Sequence, residues 1–235
     1  MSRTAKQFGY GVLYLVLIAL VVVSMLPRTG QEEGIVAPLP TSVRPLEVRG
    51  TVTVMTAADG SVAFLGRVEN PNEAHAASSF PYSFRIMRGE TIVSETSRRT
   101  GFAYPKESTT LLEVVPAASF FEDTNVVLVL GAPTWTSTEF LVRPTLAAVR
   151  AETSSDEFGA FTEGEVRNTG VVSVTTARII ALIKDANGFP LFAAQTLVEN
   201  IPGGASRSFF IRFPRDRGIF ERAAPDGTEL IVEVQ

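Results

Sequence analysis

Gly66-Arg67-Val68-Glu69-Asn70 and Gly164-Glu165-Val166-Arg167-Asn168 are the stretches whose reading decides the fold. Both follow G-x-V-x-N, and they lie 98 positions apart. In an extended chain successive side chains alternate between faces, so the valine of each stretch points into a core. The glycine permits a bulge or a close approach. The asparagine closes the strand, where its amide can bond nearby backbone.

Working outward, the recurrence continues. Val43-Arg44-Pro45 returns as Val142-Arg143-Pro144, and Pro116 as Pro214. The segment 88–96, RGETIVSET, parallels 187–195, NGFPLFAAQ, with a slip of one residue. YPKESTTLLEV at 104–114 parallels IPGGASRSFFIRF at 201–213. Matches recurring in order at nearly constant spacing indicate two homologous domains, 43–138 and 139–235, too long for solenoid units. Their size is that of an immunoglobulin-like sandwich.

Local patterns agree. Val62, Phe64 and Val68 share one parity, as do Tyr82, Phe84 and Ile86, and Phe209, Ile211 and Phe213. Period two with branched and aromatic residues predicts half-buried strands. VVLVL at 126–130 and ELIVEV at 229–234 are expected as the last strand of each domain. Asp59-Gly60, Asn187-Gly188 and Asp226-Gly227 are expected as turns. Short helical turns are expected near 116–123 and 215–223.

The G-x-V-x-N strand, a strand ending at a turn, and a Pro-Gly segment before an aromatic strand together resemble bacterial FxLYD-type and LEA14-like extracytoplasmic β-sandwich modules. Phe84-Arg85-Ile86-Met87-Arg88 keeps the phenylalanine and a branched aliphatic of the naming motif, without its tyrosine and aspartate. Ala181-Leu182-Ile183-Lys184-Asp185 keeps the aliphatic and the aspartate. The resemblance covers both copies. It implies a sandwich fold and an envelope location, and no catalytic residues.

One apolar block precedes the repeats. Phe8–Leu26 is 19 residues with no charge between Lys6 and Arg28. As a helix it would span roughly 28 Å, the thickness of a bilayer's hydrocarbon core. That length, and the absence of a small-x-small cleavage site, favour an uncleaved anchor over a signal peptide. Arg3 and Lys6 make residues 1–7 the basic, cytoplasmic flank, which places everything after Leu26 outside. Residues 27–42 carry Pro27, Pro38 and Pro40 and read as a semi-rigid spacer. Leu26-Pro27-Arg28-Thr29-Gly30 matches the L-P-x-T-G sortase pattern, but the order of motif, apolar helix and basic tail is reversed. Cutting there would release the folded domains, so the motif reads as the boundary between bilayer and exterior.

The expected architecture is therefore mainly β: an N-terminal transmembrane helix, then two tandem immunoglobulin-like β-sandwich domains. A net charge of −4 offers no footprint for nucleic acid. With no cysteine there are no disulfides, thiolate metal sites or cysteine nucleophiles. His75 is the single histidine and sits in a polar, Ala-rich stretch without nucleophile context. Asp185-Ala186-Asn187-Gly188 begins like a calcium loop but lacks the glutamate at position twelve, so a hairpin is the better reading. No cofactor, metal or catalytic residue is expected. Trp135, in the connection between the repeats, is the candidate partner-binding residue; packing between the two domains is the competing and favoured role. The functional expectation is a non-catalytic, membrane-anchored structural or interaction protein of the bacterial envelope, with an envelope protein as partner. The alternative is a glycan- or small-ligand-binding module, for which Trp135, Tyr104 and Phe102 are the stacking candidates.

Overall fold

The computed structural model describes residues 43–116 and 123–235. The chain is mainly β, with fourteen strands among the described residues. The first eight are β1 (Glu47–Thr56), β2 (Ser61–Glu69), β3 (His75–Arg88), β4 (Thr91–Glu95), β5 (Arg99–Ala103), β6 (Ser108–Pro116), β7 (Asn125–Leu130) and β8 (Thr134–Ser137). The rest are β9 (Leu146–Asp156), β10 (Gly159–Asn168), β11 (Val174–Asp185), β12 (Pro190–Ile201), β13 (Ser206–Arg212) and β14 (Ala223–Val234). Helix α1 (Arg217–Arg222) lies in the expected region 215–223, with Asp216 accepting from the Gly218 amide at 2.9 Å as N-cap. Of the other expected helical turn, residues 117–122 lie outside the described residues, as do the anchor 8–26 and spacer 27–42. No described helix is long and apolar enough to cross a membrane.

The strands form four antiparallel sheets, two in each half. Sheet A has the order β1-β2-β6, and sheet C repeats it as β9-β10-β13. Sheet D is β12-β11-β14. Sheet B is built around β3, with β4 and β5 along one side and β7 and β8 along the other. The single neighbours of β11 are thus each split in two around β3. Pro81 explains where. It has no N–H to give to a ladder in mid-strand, and Gly131, at the break between β7 and β8, lies against its ring.

The parity expected from the sequence holds. Val62, Phe64, Val68, Phe80, Tyr82, Phe84, Ile86 and Leu111 fill a core between sheets A and B. Val166, Ile179, Phe192, Phe209 and Ile211 belong to a second core between sheets C and D. That second core continues into the first half through Met55, Ala57, Ala63 and Leu112. Strand β11 is buried without interruption from Ala177 to Ile183, so both its faces are covered, and its sequence reads as a near-continuous apolar run. Residues 43–235 form one compact unit.

Two of the expected turns are hairpins. Gly60 (φ +88°) and Gly188 (φ +81°) take left-handed conformations. The third is corrected. Asp226-Gly227 lies inside β14, in an irregularity opposite Lys184. A Cβ on Gly227 would meet the Lys184 carbonyl oxygen at 2.5 Å, so this glycine marks close backbone approach. The 126–130 run forms β7, but β8 follows it and closes sheet B.

Candidate functional site

The two G-x-V-x-N strands were the strongest sequence signal, and their polar residues have the same structural role in both halves. Asn70 and Asn168 are fully buried. Asn70 Nδ2 donates to His75 O (2.8 Å) and Ala103 O (3.2 Å); Asn168 Nδ2 donates to Val172 O (2.7 Å) and Ile201 O (3.2 Å). Their Oδ1 atoms accept from the amides of Asn72 and Gly170, at 3.1 and 3.0 Å. Each side chain thereby ties the end of one sheet to the other. Gly66 and Gly164 sit opposite irregularities in β1 and β9.

Between the halves the chemistry is asymmetric. Strand β6 is an edge of sheet A, and its outward main-chain groups are met by side chains of the second half. Arg178 Nη2 donates to Thr110 O at 2.7 Å and to Glu233 Oε2 at 2.6 Å. Glu233 Oε1 accepts from the Thr110 amide at 2.8 Å. Gln195 Nε2 donates to Leu112 O at 3.4 Å. One arginine and one glutamate therefore bond both main-chain groups of Thr110, as a neighbouring strand would. Arg178 is 2 % exposed. Burial raises the pKa of the nearby Tyr82 phenol, opposed by the Arg178 guanidinium.

Beside this clamp is a cleft of about 320 Å³, lined by Phe102, Tyr104, Ser108, Arg143, Val232 and Val234 among others. Phe102 and Tyr104 meet edge to face with centroids 4.6 Å apart. The Arg143 guanidinium lies 5.6 Å from the Tyr104 centroid and pairs with Glu107 at 2.6 Å. Burial pushes the Tyr104 phenol up, with Arg143 acting against it.

The outer face of sheet C carries a second cluster. Phe161 and Phe210 stack at 5.4 Å. The Arg212 guanidinium lies 5.2 Å from the Phe210 ring, 5.6 Å from Phe161 and 5.9 Å from Phe158. Asp156 takes both ends of that guanidinium, at 3.0 and 3.1 Å. The same arginine holds the Asp156 carboxyl below the ordinary aspartate range. Phe158 is 57 % and Phe210 46 % exposed. Glu152 and Glu163 face each other across β9 and β10, and neither has an ion pair among the described residues.

Of the residues singled out in the sequence, Trp135 lies in β8, opposite Ala77 of β3, and packs half-buried on the core between sheets A and B. Phe102 and Tyr104 come together without it. His75 opens β3, with its carbonyl on Asn70. The Asp185 carboxylate is occupied by the amides of Asn187 and Phe189, both at 2.9 Å, which is a turn and not a cation loop. No group of three metal-ligating side chains occurs among the described residues. The sequence reading missed Arg178, Glu233 and the phenylalanine cluster. The spacing of Phe158, Phe161, Phe210 and Arg212 on two strands carries no linear motif; only the β10–β13 register, which pairs Phe161 with Arg212, assembles them. No protein-family model matches the chain, and no curated protein is significantly similar to it.

Proposed function

We propose that the chain is a membrane-anchored, extracytoplasmic interaction protein of a bacterial envelope, without catalytic activity. In this reading its two halves are tandem immunoglobulin-like sandwiches, the block 8–26 is the anchor, and the spacer 27–42 sets the distance from the bilayer. The observation that carries the interaction role is the outer face of sheet C. Exposed Phe158 and Phe210 surround an arginine whose charge is already neutralised by Asp156. Aromatic and arginine side chains dominate the binding energy of protein interfaces. The unpaired carboxylates of Glu152 and Glu163 lie beside this cluster, which suits a protein partner with basic groups around an apolar centre.

The test is a photoreactive residue at Phe210 in the full chain, crosslinked in native membranes. A discrete protein adduct that is lost with Arg212→Glu is expected. A topology reporter after Gln235 that is active in the cytoplasm would overturn the orientation. Absence of any adduct at this face would overturn the docking surface.

A further inference from the structure

One edge of sheet D, β14, pairs with no further strand among the described residues. In the sheet order β14 has a single hydrogen-bonded neighbour, β11. The Gln235 amide donates to Thr176 O at 3.0 Å. The register is then unbroken from Ala177↔Val234 to Ile183↔Thr228. In an antiparallel pair the main chain of alternate residues faces alternate sides. Gln235, Glu233, Ile231 and Glu229 therefore turn their N–H and C=O groups toward β11. Val234, Val232, Leu230 and Thr228 turn theirs away.

Those same four residues line two cavities that follow one another along the strand. Val232 and Val234 line the cleft of about 320 Å³, and Thr228 and Leu230 a second one of about 410 Å³. The opposite wall in both is β9, through Leu146 in the first and Ala151, Glu152 and Thr153 in the second. From Thr228 to Val234 this open edge runs for roughly 20 Å at the rise of a strand. The contrast with β6 is direct. That edge is stapled at Thr110 and Leu112 by Arg178, Glu233 and Gln195, whereas no side chain among the described residues bonds the outward main chain of β14 in this way. Free edges are a template for another strand unless something blocks them.

We propose that this groove is a binding site for an extended segment of a partner polypeptide, which adds a fourth strand to sheet D beside β14. Main-chain pairing would supply the affinity. The ends of the groove set the sequence preference. Asp226 lines one end and has no ion pair among the described residues, whereas at the other end Arg143 is already neutralised by Glu107. The partner strand therefore carries a lysine or arginine at the Asp226 end. This site is separate from the outer face of sheet C and does not depend on the docking there.

The experiment is selection from a displayed heptapeptide library on the full chain in detergent micelles, with affinities measured on the selected peptides. Basic, extended peptides are expected. Val232→Pro should weaken them roughly tenfold or more, since it deletes an N–H that faces the groove and not β11, a position where proline is tolerated. N-methylation of the peptide at alternate positions should abolish binding in one phase and spare it in the other, a readout that needs no change to the protein. Asp226→Lys should select against the basic residue. Peptides indifferent to both Val232→Pro and N-methylation would overturn the proposal. So would a library that yields no binder, or an envelope oligosaccharide as the sole ligand of the cleft. A membrane crosslink at Phe210 that persists in Val232→Pro would leave the interaction role standing while this groove fails.

Discussion

The two halves agree in their interiors and part on their outer surfaces. Asn70 and Asn168 make the same bonds to equivalent positions, and β2 and β10 both run between an edge strand and the strand that carries the Pro-Gly or Pro-Lys turn before it. On the outside, sheet A is buried against the second half through Met55, Ala63 and Leu112, whereas sheet C presents Phe158 and Phe210 to solvent. The lesson is that the residues closing each pair of sheets recur in both halves, whereas the outward-facing residues differ. One outer face is a joint. The other is open.

The joint is where the comparison breaks most easily. Alignment of Phe84 with Ala181 places Arg178 opposite Pro81, so the clamp has no counterpart in the first half. Glu233→Ala leaves the buried Arg178 charge uncompensated and the Thr110 amide without its acceptor, and should cost about 3–5 kcal/mol. Urea unfolding measures it. The double change Arg178→Met with Glu233→Leu removes both charges and should recover most of that loss. A double variant as unstable as the single one would mean that the clamp holds Thr110 by hydrogen bonding and that charge burial is secondary.

The shared interior gives a paired prediction of intermediate size. Asn70→Ala and Asn168→Ala each strand two carbonyls and one amide in a buried site, at about 2–3 kcal/mol apiece. Equal shifts of the unfolding midpoint are expected. A difference larger than about 1 kcal/mol, beyond the usual context scatter of a single hydrogen bond, would show that one half depends on its asparagine more than the other.

Much of this was legible in the sequence. Period two gave the strands because one face of each is apolar, and the recurring G-x-V-x-N marked the recurring sheet order because the asparagine and glycine roles demand those residue types. The turns at Gly60 and Gly188 were legible for the same reason. Asp226-Gly227 was misread as a turn because a glycine required by close backbone approach looks, in one dimension, like a glycine required by a positive φ. Arg178 was invisible. In Thr176-Ala177-Arg178-Ile179 an arginine reads as an outward-facing strand residue, and only the docking of sheet A on sheet D buries it. The open edge of β14 was equally hidden, since which strand lacks a neighbour depends on sheet order and not on local pattern.

The glycines sharpen the comparison at a smaller scale. A Cβ at Gly164 would lie 2.9 Å from Ala151 Cα, which is backbone and cannot step aside. At Gly66 the nearest atom, also at 2.9 Å, is Leu128 Cδ2, the end of a side chain that can change rotamer. Gly164→Ala should cost about 2–3 kcal/mol and Gly66→Ala about 1 kcal/mol, the two ends of the range for overpacking a filled site. Thermal unfolding of both variants would test the order; a reversal would mean that the Leu128 contact in the first core is the more rigid one.

The smallest effect concerns the edge strands opposite those glycines. Gly50 and Arg150 occupy matching irregularities in β1 and β9, and both adopt positive φ, +71° and +53°. Only one of them is the residue type that does so without strain. Arg150 is exposed, and its contact with Glu165 at 3.2 Å is a surface ion pair, worth little. Arg150→Gly should therefore stabilise the protein by about 0.5–1 kcal/mol, the relief of a left-handed L-residue less the entropy that glycine adds to the unfolded chain. Gly50→Ala should cost about 1 kcal/mol in the first half for the converse reason. If both changes destabilise, the Arg150 side chain contributes more through Glu165 than its backbone loses, and β9 holds its irregularity by charge where β1 holds it by glycine.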